Sequence, residues 1–348
     1  MNRIIYINGA SALSIQDTLK GYSPDGFISC HQRFVQANDP DFKEYIPPMA
    51  ARRMSRIIKR AVTVSQLALQ EAGVAMPDGI VFGTGLGCIE DTEKFLHAVL
   101  DQDEQLLQPS FFIQSTHNTI ASHVALRLGC RAYNNTLVQR RLSFESALLD
   151  GWLLFQDGEV NSLLIGGHDE LTPSYFTLLN KAGYYSYSED TGIGNFAGEG
   201  SACFVLGARP HESSYATLQS VEMWYVPNNE CSFGSVVLPF LQRQGVSPDE
   251  LCALFTAYTE DDMEKMVYRD LTFEPFAGIP HIPYKKYCGE LFTATAFGLW
   301  LAANSLRSGS LPNGNACFFD PMQKPYLLLH NHSLNRHHSV MLIKNLKR

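Results

Sequence analysis

A short turn between a strand and a helix is the part of the sequence best suited to chemistry. Residues 134–169 predict a strand at Thr136–Val138, a turn at Gln139–Leu142, a helix at Ser143–Asp157 and a buried strand at Val160–Ile165. Many α/β enzymes hold a nucleophile in such a turn, because the N-terminal end of the helix stabilises an anionic centre. A catalytic residue would therefore be expected here.

The side chains of this turn do not supply an ordinary nucleophile. The turn contains Gln139, Arg140 and Arg141 and no cysteine, and the nearby hydroxyl of Ser143 is interpreted as the N-cap of the helix. An arginine guanidinium stays protonated and has no free lone pair, so it cannot attack a carbonyl carbon. The position of a catalytic elbow thus lacks the usual chemistry.

Four histidines near the end of the chain could also do chemistry: His330, His332, His337 and His338. We expect these side chains in a surface loop that connects the strands Tyr326–His330 and Ser339–Ile343. No cysteine or carboxylate is spaced to complete the four ligands of a zinc site. The sequence therefore predicts no metal site.

A glycine turn and a neighbouring thiol are the remaining local candidates. The segment GTGLG at residues 83–87 lacks the third glycine and the Lys-Ser/Thr pair of a phosphate-binding loop, so it predicts a tight turn. Cys88 has no histidine nearby in the sequence to activate it, and we expect it to be buried. Neither feature indicates a cofactor.

The composition restricts the class of protein. The chain has 348 residues, 45% of them apolar, and a formal net charge of −8, which argues against nucleic-acid binding. Its eight cysteines are scattered without CxxC pairs, and no signal peptide is evident, so we expect reduced, mostly buried thiols in a cytoplasmic protein. No stretch approaches the ~20 apolar residues that span a bilayer, so no membrane association is predicted.

The order of elements predicts two similar α/β halves. A polar segment at Arg209–Ser214 precedes the strand Tyr215–Tyr225, and strands and helices follow in much the same order on both sides. The expected halves are residues 1–210 and residues 211–348. Long helices are predicted at Met49–Gly73 and at Leu291–Leu306, each with apolar residues at helical spacing.

Five segments, in this order, resemble motifs of the β-ketoacyl-(acyl carrier protein) synthases, which belong to the thiolase-like condensing enzymes. They are RRMSRIIKRAVTVSQLALQEAG at Arg52–Gly73, GIVFGTGLG at Gly79–Gly87, GEVNSLLIGGHDE at Gly158–Glu170, NFAGEGSACFVLG at Asn195–Gly207 and KKYCGELFTATAFGLWLAANSLRSGSLP at Lys285–Pro312. The resemblance implies a five-layer α/β/α/β/α fold of two similar halves. It places helices Ser143–Asp157 and Leu291–Leu306 in the central layer.

The resemblance also implies a cysteine nucleophile and two histidines, which this sequence lacks. Counting back from Gly158 without a gap puts Arg141 at the cysteine position, and matching from the preceding strand leaves Gln139 or Arg140 instead. The histidine positions are matched by Tyr258 and Glu290.

The surroundings of these positions are partly retained. Lys285 survives from the family's Lys–Gly–His motif, and Cys288 beside the expected pocket is the remaining candidate nucleophile. The family's glycine-rich phenylalanine loop is replaced by HNHSLNRHHS at residues 330–339. Arg141 and Glu290 would meet in one pocket, so we expect a buried ion pair.

Three functional hypotheses follow from this resemblance. The first is a catalytically degenerate homologue that acts as the non-catalytic, chain-length-factor-like partner of a ketosynthase in fatty-acid, polyene or polyketide-type biosynthesis and that meets acyl carrier protein. The second is an active acyl-thioester transferase or decarboxylase that uses non-standard residues such as Gln139 and Tyr258. The third is a homodimeric acyl-binding scaffold. A homo- or heterodimer is expected through the strand Ala132–Val138, whose edge would otherwise be open.

Overall fold

One continuous sheet runs through the computed structural model, which describes residues 3–28, 30, 32–102, 105, 107, 109–192, 194–227, 231–314 and 320–346. Within these residues the sheet has ten strands. They are β1 Ile5–Leu13, β2 Gly79–Gly83, β3 Tyr133–Leu137, β4 Ser162–Asp169, β5 Gly200–Gly207, β6 Ala216–Tyr225, β7 Leu251–Thr256, β8 His281–Pro283, β9 Tyr326–Ser333 and β10 His337–Asn345.

The strand order repeats between the two ends of the sheet. The order is β3-β2-β4-β5-β1-β6-β10-β9-β7-β8, so each half runs from its third strand through its second, fourth and fifth to its first. Parallel and antiparallel pairings also match between the halves. The halves meet where β1 pairs antiparallel with β6, at Ile5 opposite Leu218. The two similar halves are confirmed, and the boundary between residues 210 and 211 stays a prediction.

Eleven α-helices surround and separate the strands within the described residues. They are α1 Pro48–Ala51, α2 Arg56–Glu71, α3 Ile89–Asp101, α4 Pro109–Gln114, α5 Thr119–Leu128, α6 Ser143–Asp157, α7 Pro173–Lys181, α8 Phe233–Gln244, α9 Asp262–Val267, α10 Lys285–Cys288 and α11 Ala294–Ser308.

The helices α6 and α11 form the central layer. Each contacts strands of both halves, whereas α2 and α5 cover the outer face of the first half and α8 contacts β10 of the second. This is the expected α/β/α/β/α arrangement. Helix α11 is buried along nearly its whole length, including Phe297 and Trp300, because strands of both halves pack against it. Helix α6 is less covered than its apolar residues predict, since Leu153 is 48% exposed.

Two local predictions need correction. The helix predicted over Met49–Gly73 is interrupted between Ala51 and Arg56. The reason is tertiary: the Glu170 carboxylate accepts a hydrogen bond from the backbone N–H of Ile57 and so supports a new helix start there. Helix α7 was not anticipated, although Thr172 caps it and Pro173 begins it.

None of the described helices combines the length and the apolar character that crossing a membrane requires.

Candidate functional site

The turn between β3 and α6 has a strained backbone at Arg140. This residue has φ 52, in the left-handed region that side chains other than glycine seldom adopt. The Ser143 hydroxyl accepts a hydrogen bond from the N–H of Gln139 at 2.8 Å and donates to the carbonyl of Arg140 at 2.7 Å. Ser143 therefore closes the turn and is the first residue of α6, not its N-cap, which is Leu142. Strain at a strand-to-helix elbow is typical of nucleophile positions, and here it falls on an arginine.

Arg141, next to the strained residue, forms the expected ion pair with Glu290. Its Nε lies 3.1 Å from Oε1 of Glu290. The guanidinium also lies over the ring of Tyr184, with Cζ 5.4 Å from the ring centroid. Arg141, one of the elbow candidates, is thus a paired cation and offers no nucleophile.

Glu290 contacts two further side chains on its other oxygen. Nζ of Lys285 lies 2.7 Å and Nδ2 of Asn195 lies 3.0 Å from Oε2. Burial opposes ionisation, yet the charges of Arg141 and Lys285 and the hydrogen bonds outweigh it and hold the pKa of Glu290 below its ordinary value. We refer to Arg141, Glu290, Lys285 and Asn195 as the Glu290 cluster; it holds a fixed negative charge between two cations.

The backbone around Glu290 explains how the cluster is positioned. The N–H of Glu290 donates to the carbonyl of Phe196, and the N–H of Gly198 donates to the carbonyl of Glu290. A side chain at Gly198 would collide with the carbonyl oxygen of Cys288, so the close approach of these two segments requires glycine. Gly198, in the segment NFAGEGSACFVLG, thus allows the backbone contacts that hold Glu290 beside the elbow.

Two cavities lie on either side of the Glu290 cluster. The larger, about 540 Å³, is lined by Arg140, Arg141 and residues of the turn between β9 and β10. The smaller, about 250 Å³, is lined by Lys285 and Cys30 among others. Asn195 borders both. The cluster therefore separates the two spaces.

Tyr258 is not part of this arrangement. Its ring packs against Tyr268 and His281, with centroid distances of 5.6 and 5.8 Å. Tyr258 is absent from the described residues that line the larger cavity. Of the three positions matched to the family's catalytic residues, the structure brings Arg141 and Glu290 together and leaves Tyr258 apart.

The two candidate thiols, Cys288 and Cys88, and the elbow residue Gln139 do not offer a nucleophile either. Cys288 is buried, and its Sγ lies 3.2 Å from the carbonyl oxygen of Gly289. Burial raises the pKa of Cys288 and that of Cys88, which keeps both as neutral thiols. Gln139 instead accepts a hydrogen bond from the Ser146 hydroxyl. Four of the described cysteines are buried, and Cys317 lies outside the described residues.

The prediction that the four histidines lie in a surface loop was wrong. His330 and His332 belong to β9, His337 and His338 belong to β10, and only His337 is exposed. The strands extend further than predicted because the buried imidazoles have polar partners: His332 bonds Glu264, and His330 bonds Tyr268. In the part of the chain that the structure describes, no group of three or more His, Cys, Asp or Glu side chains could hold a metal ion.

The sequence analysis missed several residues of this region. Asn331 of β9 donates to the carbonyl of Arg141 at 2.9 Å and to Oε1 of the buried Glu145 at 2.6 Å. Asn195 binds Glu290, and Glu264 binds His332. Each contact joins residues far apart in the chain, so no local spacing could have revealed it.

The sequence is similar to known proteins over about half its length. A family model described as β-ketoacyl synthase, N-terminal domain, matches residues 29–214, just over half of the 348 residues. The 3-oxoacyl-[acyl-carrier-protein] synthase 2 of Synechocystis sp. (strain ATCC 27184 / PCC 6803 / Kazusa) is 24% identical over 189 residues. That alignment spans 49% of this chain and 45% of the relative, so the match covers about half the length of either protein.

Solved structures share the fold over the whole chain. A β-ketoacyl synthase from Burkholderia phymatum STM815 superimposes with a TM-score of 0.79 at 17% identity, covering 100% of both chains. The ishigamide ketosynthase/chain length factor superimposes with a TM-score of 0.76 at 16% identity, also covering 100% of both chains. At such identities the likeness shows a common fold and leaves activity to be argued from the site.

Proposed function

The chain belongs to the β-ketoacyl synthase family, and from that premise we propose that it is a catalytically degenerate member. In this proposal it acts as the non-catalytic, chain-length-factor-type partner of a condensing enzyme in fatty-acid, polyene or polyketide-type biosynthesis. Acyl carrier protein is the second proposed partner, by analogy with the carrier named for the Synechocystis relative.

The Glu290 cluster is the observation that carries the proposal. Condensation needs a thiolate that accepts an acyl group and donors that stabilise a developing oxyanion. The cluster supplies a protonated guanidinium that cannot be acylated and an ionised carboxylate that would repel an oxyanion. Arg141 and Lys285 both contact the Glu290 carboxylate, at 3.1 and 2.7 Å, so this carboxylate competes with any oxyanion for their N–H groups.

An open sheet edge supports the dimeric part of the proposal. Strand β3 ends the sheet and pairs only with β2 among the described strands. Tyr133 at its start and Val138 just after it are exposed apolar residues. An unpaired edge with exposed apolar side chains favours association with a second chain. The match to a ketosynthase/chain length factor makes a ketosynthase the partner we propose.

The larger cavity favours a second candidate function, that of an acyl-binding scaffold without a ketosynthase. Its lining includes Tyr184, Phe292 and Leu334, which could contact an apolar ligand. Affinity purification separates the two functions: recovery of a ketosynthase with the tagged chain supports the partner role, and recovery of the chain alone in homodimers supports the scaffold.

The catalytic part of the proposal is tested with purified protein, malonyl-carrier and an acyl donor. We expect no malonyl consumption and no mass increase of the wild-type chain. Arg141→Cys alone is also expected to be inactive. Residues of a catalytic set act as a unit, and Tyr258 and Glu290 would still occupy the positions matched to the family's two histidines. The triple variant with Tyr258→His and Glu290→His restores the family's residue types and serves as the comparison. Acylation of the wild-type chain at a defined residue, above all Cys288, would favour the alternative of an unorthodox transferase or decarboxylase.

A further inference from the structure

The turn between β9 and β10 forms part of the wall of the larger cavity and has an unfavourable backbone. Leu334 and Asn335 have φ 54 and 51, and both line the cavity together with His332. Left-handed conformations are tolerated by asparagine but are disfavoured for leucine. Contacts from elsewhere in the fold must therefore keep this turn, residues 333–336, in place.

His332 provides one of these contacts, and the contact requires a neutral imidazole. The backbone N–H of Asn335 points to Nδ1 of His332 at 3.3 Å, while Nε2 of His332 lies 2.9 Å from Oε2 of Glu264. Because Nδ1 accepts a hydrogen bond, the proton of His332 lies on Nε2 and is donated to Glu264. A second proton, on Nδ1, would face the Asn335 N–H and break that bond.

The two neighbouring histidines depend on neutrality in the same way. The Tyr268 hydroxyl accepts from the N–H of Ala257 at 3.2 Å, so its own proton goes to Nδ1 of His330 at 2.9 Å. Nε2 of His330 then donates to Nδ1 of His338 at 3.2 Å. His338 lies directly opposite His332 in the register of β9 and β10. This series of hydrogen bonds, from Tyr268 through His330 to His338, therefore requires that Nδ1 of both imidazoles stays unprotonated.

Burial and the neighbouring imidazoles keep His330 and His338 neutral at pH 7. Burial, followed by the charges of neighbouring imidazoles, lowers the pKa of His338 to about 4 and that of His330 well below its ordinary value. The titratable or charged groups that surround the three rings are Glu264 of α9, Tyr268 after α9, Lys285 of α10 and His337 of β10. Glu290 lies near Glu264. Asn331 connects the same strand to Glu145 and to the backbone of Arg141.

We propose that His330, His332 and His338 form an acid-sensitive latch that holds the turn 333–336 against the cavity and releases it when the imidazoles become protonated. Two effects would act together, the loss of the acceptor nitrogens and the repulsion between like charges on adjacent strands. In the released turn His330 and His338 would regain an ordinary pKa of about 6.5, so release binds protons and becomes more favourable as the pH falls below that value. The proposal is independent of whether the chain takes part in condensation.

Release of the turn would also reach the elbow. Asn331 lies between His330 and His332 on β9, and its amide holds the carbonyl of Arg141 and the carboxylate of Glu145. A shift of this strand end therefore loosens a contact of the turn that carries Arg140 and Arg141. Acidification would thus change both the opening of the cavity and the placement of its cations.

Hydrogen exchange measured by mass spectrometry on the full chain tests the latch at about pH 7 and about pH 5. After correction for the pH dependence of chemical exchange, amides of residues 333–337 should exchange at least ~10-fold faster at the lower pH, with little change in β4. His332→Gln is the main variant, because glutamine accepts from Asn335 and donates to Glu264 without titrating. It should weaken the acid response, and the part that remains belongs to His330 and His338. His337→Gln changes the exposed histidine of the same hairpin and should retain the full acid response.

Several outcomes would overturn the latch. One is wild-type protein whose turn exchanges equally at both pH values after correction. Another is His332→Gln protein that keeps the full acid response. If His332→Gln does not fold, the wild-type comparison still decides, because acid-induced exchange that is equally large in β4 would mean general loosening of the fold.

Discussion

At the scale of single residues, three side chains from separate segments converge on one carboxylate. Arg141 comes from the elbow, Lys285 from α10 and Asn195 from the loop before β5, and all contact Glu290. Two cations here share one anion in a buried setting. Such a site is stable only as a complete set, because removing the anion leaves two cations without their partner.

The first prediction concerns this dependence on Glu290. Glu290→Ala should lower the free energy of unfolding by ~3–5 kcal/mol, the range found when one partner of a buried ion pair is removed. Denaturant titration followed by circular dichroism measures the change. Asp17→Ala breaks the exposed Lys20–Asp17 pair and is the matched control, for which no change in the midpoint is expected. Equal midpoints for the two variants would mean that the Glu290 cluster does not stabilise the fold.

At the scale of elements, the elbow is positioned by the contact between the end of β2 and the start of α6. Gly83 is the last residue of β2, and a Cβ atom there would collide with the backbone carbonyl of Ser143. The helix can approach the strand this closely only because glycine has no side chain. The turn that carries Arg140 and Arg141 is therefore held between two rigid elements.

Gly83→Ala tests the importance of this contact. The added methyl group must displace backbone, so the free energy of unfolding should fall by ~1–3 kcal/mol, as for other overpacked sites. Gly26→Ala is the control, because Gly26 is exposed and a methyl group there would meet only the side chain of Ser23. Thermal unfolding of both variants provides the measurement. A Gly83→Ala protein as stable as the control would show that α6 can move away at no cost.

At the scale of the whole molecule, the described sheet ends in two edge strands, and β3 is the one with an exposed large apolar side chain, Tyr133. The order of strands places β3 at the end of the first half and β8 at the end of the second. Next to β3, Val138 is 49% exposed. Association through β3 would join the sheets of two chains edge to edge and remove the side chains of Tyr133 and Val138 from water.

We accordingly expect a dimer in solution. Light scattering at micromolar concentration should give about twice the chain mass of 38.8 kDa. Val138→Asp should shift the protein to the monomer, because it places a charge at the proposed interface. Leu238→Asp is the control, since Leu238 is 39% exposed on α8, in the other half of the molecule. A monomer mass for the wild type, or dissociation by both variants alike, would contradict association through β3.

The sequence by itself determined the fold class, most elements and the missing thiol at the elbow. Hydrophobic periodicity is a local property, so strand β4 and helices α6 and α11 could be predicted from neighbouring residues alone. The absence of cysteine between β3 and α6 is also visible without a structure. The pairing of Arg141 with Glu290 could be expected because the family resemblance placed both in one pocket.

Only the tertiary structure decided how the polar groups are paired. The start of α2 depends on Glu170, the burial of His332 depends on Glu264, and Asn331 reaches Arg141 across 190 positions of the chain. In each case a side chain satisfies a buried backbone or polar group that lies far away in the sequence. A loop-like run of polar residues can therefore become buried strand when distant partners are present, as happened at residues 330–332 and 338–339. Local composition cannot encode such partners, because the contact exists only once distant segments of the chain have packed together.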